Sequence, residues 1–363
     1  MKEVLLTGTM IAVTAASAAP ATQGSSKMPI AASAPELINL LRQAKSGSEI
    51  LLAPGEYQNL VIQGIQARSI VVRSADPRKP TVIGPFIMEK SSGITFRDLE
   101  FSNAGSSDAW AWRILDSHDI HFDKLDVHGS LDGNPQNDRQ GIQIRRSSQI
   151  SITNSVFHEL YRGISPSDTS DIRITNNRFH DNARTGIFSS NVQNVTISGN
   201  SFTDSYPIEG DHMDAIAFTK IGPTNTTRNV LISDNVITRG KGRVTQGIFF
   251  RDPSRGETHF SDIRIKNNLI IGMGLNGIYV NSAERVTIES NTVLAYPGKS
   301  NNSWILLQYV NHGEVRDNRA PLISITPPAN QNRNVSQAGN LIVPPVTDNG
   351  AAALAAHSAK RSN

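Results

Sequence analysis

There is no cysteine among the 363 residues. Its absence excludes disulfides, thiolate metal sites and a cysteine nucleophile, and leaves stability to packing and backbone hydrogen bonds. Charge is also sparse: 18% of residues carry it, and the formal balance is +3. That is too mild to argue for nucleic acid, and no nucleic-acid-binding motif accompanies it. Apolar runs are short, so no membrane span is expected. One run, Val4 to Val13, follows Lys2 and precedes Ala16-Ser17-Ala18, a small-x-small site of the kind signal peptidase cleaves. Residues 1–18 read as a signal peptide, so the chain is expected to be secreted or periplasmic. Residues 19–33 read as a linker, 34–343 as the folded domain and 344–363 as a disordered tail.

What the sequence has in abundance is repetition. Gln149-Ile150-Ser151-Ile152-Thr153-Asn154-Ser155-Val156-Phe157 returns as Asp171 to Phe179 and again as Asn194 to Phe202. The frame continues at Val230/Ile232/Asn235/Ile237, Ile263/Ile265/Asn268/Ile270 and Val286/Ile288/Asn291/Val293. Apolar and polar residues alternate within each unit, which is strand periodicity. The period runs from 22 residues (Ile150 to Ile172) to 35 (Val195 to Val230), the signature of a solenoid. Asn177, Asn200, Asn235, Asn268, Asn291 and Asn318 fall in one column, predicting a ladder of amide hydrogen bonds with Asn in a left-handed turn. A second strand per unit is marked by a small residue and then Ile, at Gly141-Ile142, Gly163-Ile164, Gly186-Ile187, Ala215-Ile216, Gly247-Ile248 and Gly277-Ile278. The amphipathic stretch from Ala34 to Ala44 predicts a helix capping the open end of the stack.

The capping helix, the Ala53-Pro54-Gly55-Glu56-Tyr57 turn and the Asn-ended coils resemble the pectate-lyase-like right-handed parallel β-helix superfamily. The resemblance covers about residues 35 to 325 and implies an all-β solenoid of about ten coils. It implies a carbohydrate-active protein without fixing the reaction, because that fold hosts lyases, hydrolases, epimerases, tailspikes and adhesins.

Insertions cluster around the Gly-Ile strands: Asp132 to Arg139, Tyr206 to Asp214, Arg239 to Arg243, Lys220 to Arg228 and Asp252 to Phe260. Loops on both sides of one strand face predict a groove suited to a polymer. Setting the Gly-Ile strands in register turns Gln143, Arg145, Ser165, Phe188, Ala217, Phe249, Arg251 and Tyr279 outward. A polar column precedes the small residue: Gln140, Arg162, Thr185, Asp214, Gln246 and Asn276. Arg139, Tyr161 and Arg184 lie near it. Guanidinium forks match carboxylates and aromatic faces suit sugar rings, so the expected partner is an acidic, uronate-bearing polysaccharide met by a monomer.

Asp211-His212-Met213-Asp214 is the densest ionisable cluster. An imidazole between carboxylates can exchange a proton near neutral pH, and Asp211 with Asp214 could hold a hard cation such as Ca²⁺. By resemblance to superfamily lyases, which use Lys or Arg as base, Lys220 or Arg251 is the candidate base. His212 is candidate base or acid, and Arg162 and Asp214 complete the candidate catalytic set. The expected reaction is β-elimination. The same cluster bears some similarity to alginate C5-epimerases, so epimerase and hydrolase remain alternatives, with non-catalytic carbohydrate binding as a third.

Overall fold

The computed structural model describes residues 28–104, 109–211, 213–222, 226–254, 259–298, 303–325 and 331–361. The expected signal peptide, most of the expected linker and His212 lie outside them. Within them the chain winds as a parallel β-solenoid of about ten turns. Twelve three-residue or shorter strands form one ladder, and a twenty-two-stranded array holds the two longer columns. The repeated frame stacks in register: Ile150 on Ile172, Ile172 on Val195, Val195 on Val230 and Val230 on Ile263. The inward residues are fully buried, and equivalent rings lie one above another, with Phe157–Phe179 centroids 4.9 Å apart and Phe179–Phe202 4.7 Å. One coil cannot hide its apolar edge; the stack hides it continuously.

The asparagine ladder forms and runs one step further than expected. Each Nδ2 donates to the next Oδ1, from Asn177 through Asn200, Asn235, Asn268, Asn291 and Asn318 to Asn340, at 2.9–3.1 Å. The same Oδ1 atoms accept the backbone N–H of the preceding ladder residue. Ser155 continues the column below, where its Oγ accepts from Leu125 N. The left-handed backbone belongs to the residue before each ladder Asn: Asn176, Gly199, Asp234, Asn267, Ser290 and Asp317 all have φ between 57° and 70° or close to it at 55°. The ladder Asn faces inward, and its neighbour makes the turn.

Both ends depart from the expected boundaries. Ile30–Ala31 pairs with Leu51 and Leu52, so the solenoid begins inside the presumed linker. Helix α1 (Ala34–Gln43) follows, started by Ser33 and Glu36, whose side chains take the Glu36 and Ala32 N–H groups. Its Leu37 and Leu41 are buried against the first coil, as a cap requires. The C-terminal tail is not a disordered segment. Helix α2 (Ala351–Arg361) is started by Asp348, which accepts from Gly350 N and Ala352 N. Val343, Val346, Ala353 and Leu354 cover Leu269, Ile271 and Leu294 on the short-strand ladder. Alanine-rich composition, read as looseness, is here helix propensity with a small apolar face.

Asn235→Ala strands two donors of Asn200 in a buried site and takes the Nδ2 donor from Asn268 Oδ1 and Ile197 O, and is expected to cost about 2–4 kcal/mol in denaturant unfolding. Asn340→Ala, at the partly buried end of the ladder where water can substitute, should cost less than half of that. Equal losses would mean the ladder is not cooperative along its length.

Candidate functional site

The Gly-Ile strands stack Ile142, Ile164, Ile187, Ile216, Ile248, Ile278 and Ile305 into one buried column. The glycines are needed for that approach: a Cβ on Gly141, Gly163 or Gly247 would lie 2.2–2.5 Å from the next coil's carbonyl oxygen. Outward-pointing Arg113, Gln143, Ser165, Phe188, Ala217, Phe249, Tyr279 and Leu306 form the row above the Ile column. Ser165, Ala217 and Phe249 are nonetheless buried, because the insertions close over them. On one side Gln136 Nε2 donates to the carbonyls of Tyr206 and Pro207 (3.2 and 3.3 Å), and Arg243 Nη1 donates to Pro207 O (3.2 Å). Three insertions are thereby joined into one wall. Lys220 Nζ, at 2.8 Å from Ser254 Oγ, ties two insertions on the other side.

Towards the N-terminal end of the groove lies a cationic cluster. The Arg162 guanidinium stacks 4.4 Å above the Phe188 ring. Among the described residues nothing accepts a hydrogen bond from it, and its Nε is buried without a partner. Burial, then the neighbouring Arg184 charge, lowers its pKa to about 10, so it stays charged at neutral pH. Arg184 is committed elsewhere: Nη1 donates to Tyr161 Oη (3.0 Å), and Nη2 is 3.3 Å from Asp211 Oδ1. Gln140 stands in register beside Arg162, with its Oε1 buried and unpartnered.

Three coils further, about 14 Å at the usual strand spacing, Phe249, Arg251, Asp252, Pro253, Tyr279, Asn281, Gln308 and Tyr309 line a cleft of about 450 Å³. Phe249 and Tyr279 stack with centroids 4.9 Å apart. Tyr279 Oη donates to Gln308 Oε1 (2.8 Å) and accepts from Asn281 Nδ2 (3.0 Å). Exposed Arg251 pairs in register with Thr219, which places Lys220 beside it on the neighbouring coil. Sequence reasoning noted Asp252 in its insertion but missed its partner: buried Asp252 holds Nδ1 of His259 and the Ser254 N–H. The Asp and His seven residues apart in one insertion were the available signal.

The other expected residues divide. Gln246 joins Asn276 and Trp304 in a hydrogen-bonded row along the groove floor. Asp214 is buried at the start of its strand, while Arg139 and Arg145 are exposed at the margins. Of the expected Ca²⁺ pair, Asp211 lies 3.3 Å from Arg184 Nη2 and Asp214 is buried; neither belongs to a group of three or more converging acidic or imidazole side chains among the described residues.

A sequence-family model described as "Right handed beta helix region" matches residues 84–319. The chain belongs to that right-handed β-helix family. No curated protein sequence matches it. Solved structures similar to this β-helix chain include an alginate lyase from Paenibacillus sp. strain FPU-7 (16% identity over 86% of this chain and 98% of that one, TM-score 0.44). A polysaccharide lyase from Pseudopedobacter saltans is similar at 11% identity (87% and 92% covered, TM-score 0.48). The Dettilon tailspike protein is similar at 13% identity (85% and 61% covered, TM-score 0.50). At such identities the likeness is one of fold.

Arg162→Met preserves contact with Phe188 while removing a desolvated charge. In denaturant unfolding it is expected to leave the β-helix as stable as before or up to about 1 kcal/mol more so. A loss above about 2 kcal/mol would make Arg162 a structural residue.

Proposed function

We propose that this protein is a polysaccharide lyase that binds a uronate-bearing chain along the Gly-Ile groove and cleaves it by β-elimination. The observation that carries this reading is the Arg162 guanidinium, held on an aromatic ring with no acceptor among the described residues. A largely buried cation without a partner is costly, and a carboxylate meeting its fork supplies both charge and two-point hydrogen bonding. Gln140, with an unpartnered amide oxygen beside it, suits a sugar hydroxyl. The Phe249–Tyr279 stack and the cleft under it offer a second contact on the same groove, sized for a sugar unit.

On this reading Arg162 and Arg251 meet the carboxylates of different units of one polymer. In β-elimination a base takes the C5 proton, positive charge stabilises the resulting enolate, and an acid protonates the departing O4. Arg251 at the cleft supplies positive charge, and Lys220 on the adjacent coil, as the neutral amine, is the proposed base that becomes the ammonium on taking the C5 proton, with Ser254 fixing the position of its Nζ. His212, from the sequence, and the Asp252–His259 pair are the proposed sources of the leaving-group proton. The chain's expected export matches a substrate outside the cytoplasm.

The test is ultraviolet absorbance of unsaturated products with a panel of uronate polymers. One polymer should give a rising signal. Arg162→Gln should then raise KM, lowering kcat/KM by about 10- to 100-fold, while Lys220→Ala should cut kcat by about a thousand-fold. New reducing ends without absorbance would mean hydrolysis instead, and binding without either would mean a non-catalytic groove.

A further inference from the structure

Outside the groove floor, one oxygen each of Asp132, Asp138 and Glu159 lie within 4.8 Å of one another. Asp132 and Asp138 come from the insertion that follows His128; Glu159 follows the strand Val156–His158 one coil further on. The insertion closes onto that coil because Gly129 has no side chain: a Cβ there would lie 2.0 Å from Glu159 O and 2.3 Å from Asp138 Cγ. Packing therefore forces like charges together, and no Lys, Arg or His among the described residues forms an ion pair with any of the three.

Asp138 is the decisive member. It is 9% exposed. Its Oδ1 accepts from Ser130 N at 2.7 Å, but its Oδ2 is buried and has no hydrogen-bond partner among the described residues. The other two carboxylates are held by light contacts that leave lone pairs open. Asp132 accepts from Asn134 N and Asn137 Nδ2, and Glu159 accepts from Gly133 N, at 2.8–2.9 Å. A buried carboxylate oxygen in a group of three carboxylates, with no ion-pair partner among the described residues, is stabilised by a positive charge.

We propose that Asp132, Asp138 and Glu159 bind one calcium ion, which pins the 129–139 insertion to the solenoid. The donors are all hard oxygens, which excludes a preference for soft or imidazole-seeking metals. Oxygens around Ca²⁺ at about 2.4 Å stand at most ~4.8 Å apart, whereas Mg²⁺ would draw them within ~4.2 Å and demand a regular octahedron. Three carboxylates brought together by a loop and the neighbouring coil, with their oxygens within 4.8 Å of one another, suit the irregular oxygen shell that Ca²⁺ accepts and Mg²⁺ does not. The same insertion carries Gln136, whose amide joins the Tyr206–Pro207 insertion, and leads directly into Gln140 beside Arg162. The ion thus fixes the wall of the groove at its cationic end without touching the polymer, whatever reaction the groove performs.

The experiment uses the full secreted chain, stripped with chelator, then titrated calorimetrically with CaCl₂ or MgCl₂ and followed by thermal unfolding. One Ca²⁺ per chain is expected, with Tm raised by about 3–5 °C at saturation and Mg²⁺ at least ten-fold weaker. Asp138→Asn should abolish the heat and the Tm shift. Asp132→Asn, at an exposed position that does not threaten folding, should weaken Ca²⁺ affinity at least ten-fold, and Asp211→Asn should leave it unchanged. The proposal is overturned by the absence of any Ca²⁺-dependent shift in the parent protein, by a shift that survives Asp132→Asn undiminished, or by equal affinity for Mg²⁺.

Discussion

Everything in this molecule depends on one constraint: each coil hydrogen-bonds to the next through parallel backbone ladders, so equivalent residues must sit on top of one another at a single strand spacing. Like residues that attract when stacked are therefore favoured in every column. Phenyl rings and Ile side chains satisfy the rule by packing, and amides satisfy it by donating upward and accepting from below. The Asn column is the purest case, because each Nδ2 also satisfies a carbonyl of the preceding coil, such as Ile197 O for Asn235. Imidazoles follow the same rule: His158 is stacked on His180 at 5.0 Å, and each is also held by a carboxylate, Asp126 and Asp181 respectively.

The same constraint determined what could be read from the sequence. A column repeats its residue type, so the Ile frame, the Asn ladder and the outward row of Phe188, Phe249 and Tyr279 were all legible as periodicity. The α1 cap was legible because Ser33 and Glu36 carry a local start signal. Where the chain leaves the columns, periodicity is silent. The left-handed residue was misplaced by one, since Asn is common at both the turn and the ladder. Helix α2 was missed because its apolar face is only a few small residues. The meeting of Asp132 and Asp138 with Glu159 could not be read, because it depends on how an insertion folds back, which Gly129 permits but does not announce.

Insertions also explain why the groove lies where it does. The corner before each Gly-Ile strand is the place where extra residues disturb no ladder, since the glycine's own backbone contact with the next coil begins after it. Loops there can lengthen freely, and once several do so in consecutive coils they bond to each other, as Gln136, Pro207 and Arg243 do. A wall built from loops that hold one another is stiffer than any of them alone, and buries the floor residues Ser165, Ala217 and Phe249 while keeping Arg162 and Tyr279 in reach.

Concavity by itself does not identify the working face. A larger depression, about 550 Å³, lies on the face of the Ile-x-Ile strands, lined by Asp262, Arg264, Arg285, His312 and Glu314 among others. Its charges answer one another: Arg285 holds Asp262 through two hydrogen bonds of 2.6 and 2.9 Å and also contacts Glu284. Such pairs on a solvated face contribute little and ask for nothing further. In the Gly-Ile groove, Arg184 is satisfied by Asp211 and Tyr161, while Arg162 one coil away is half-buried against Phe188 and has no acceptor among the described residues. The fold tolerates that cost at a position where packing alone would favour an apolar side chain. An unmet charge at the floor of a walled groove is what distinguishes a surface built to receive something from one that is merely uneven.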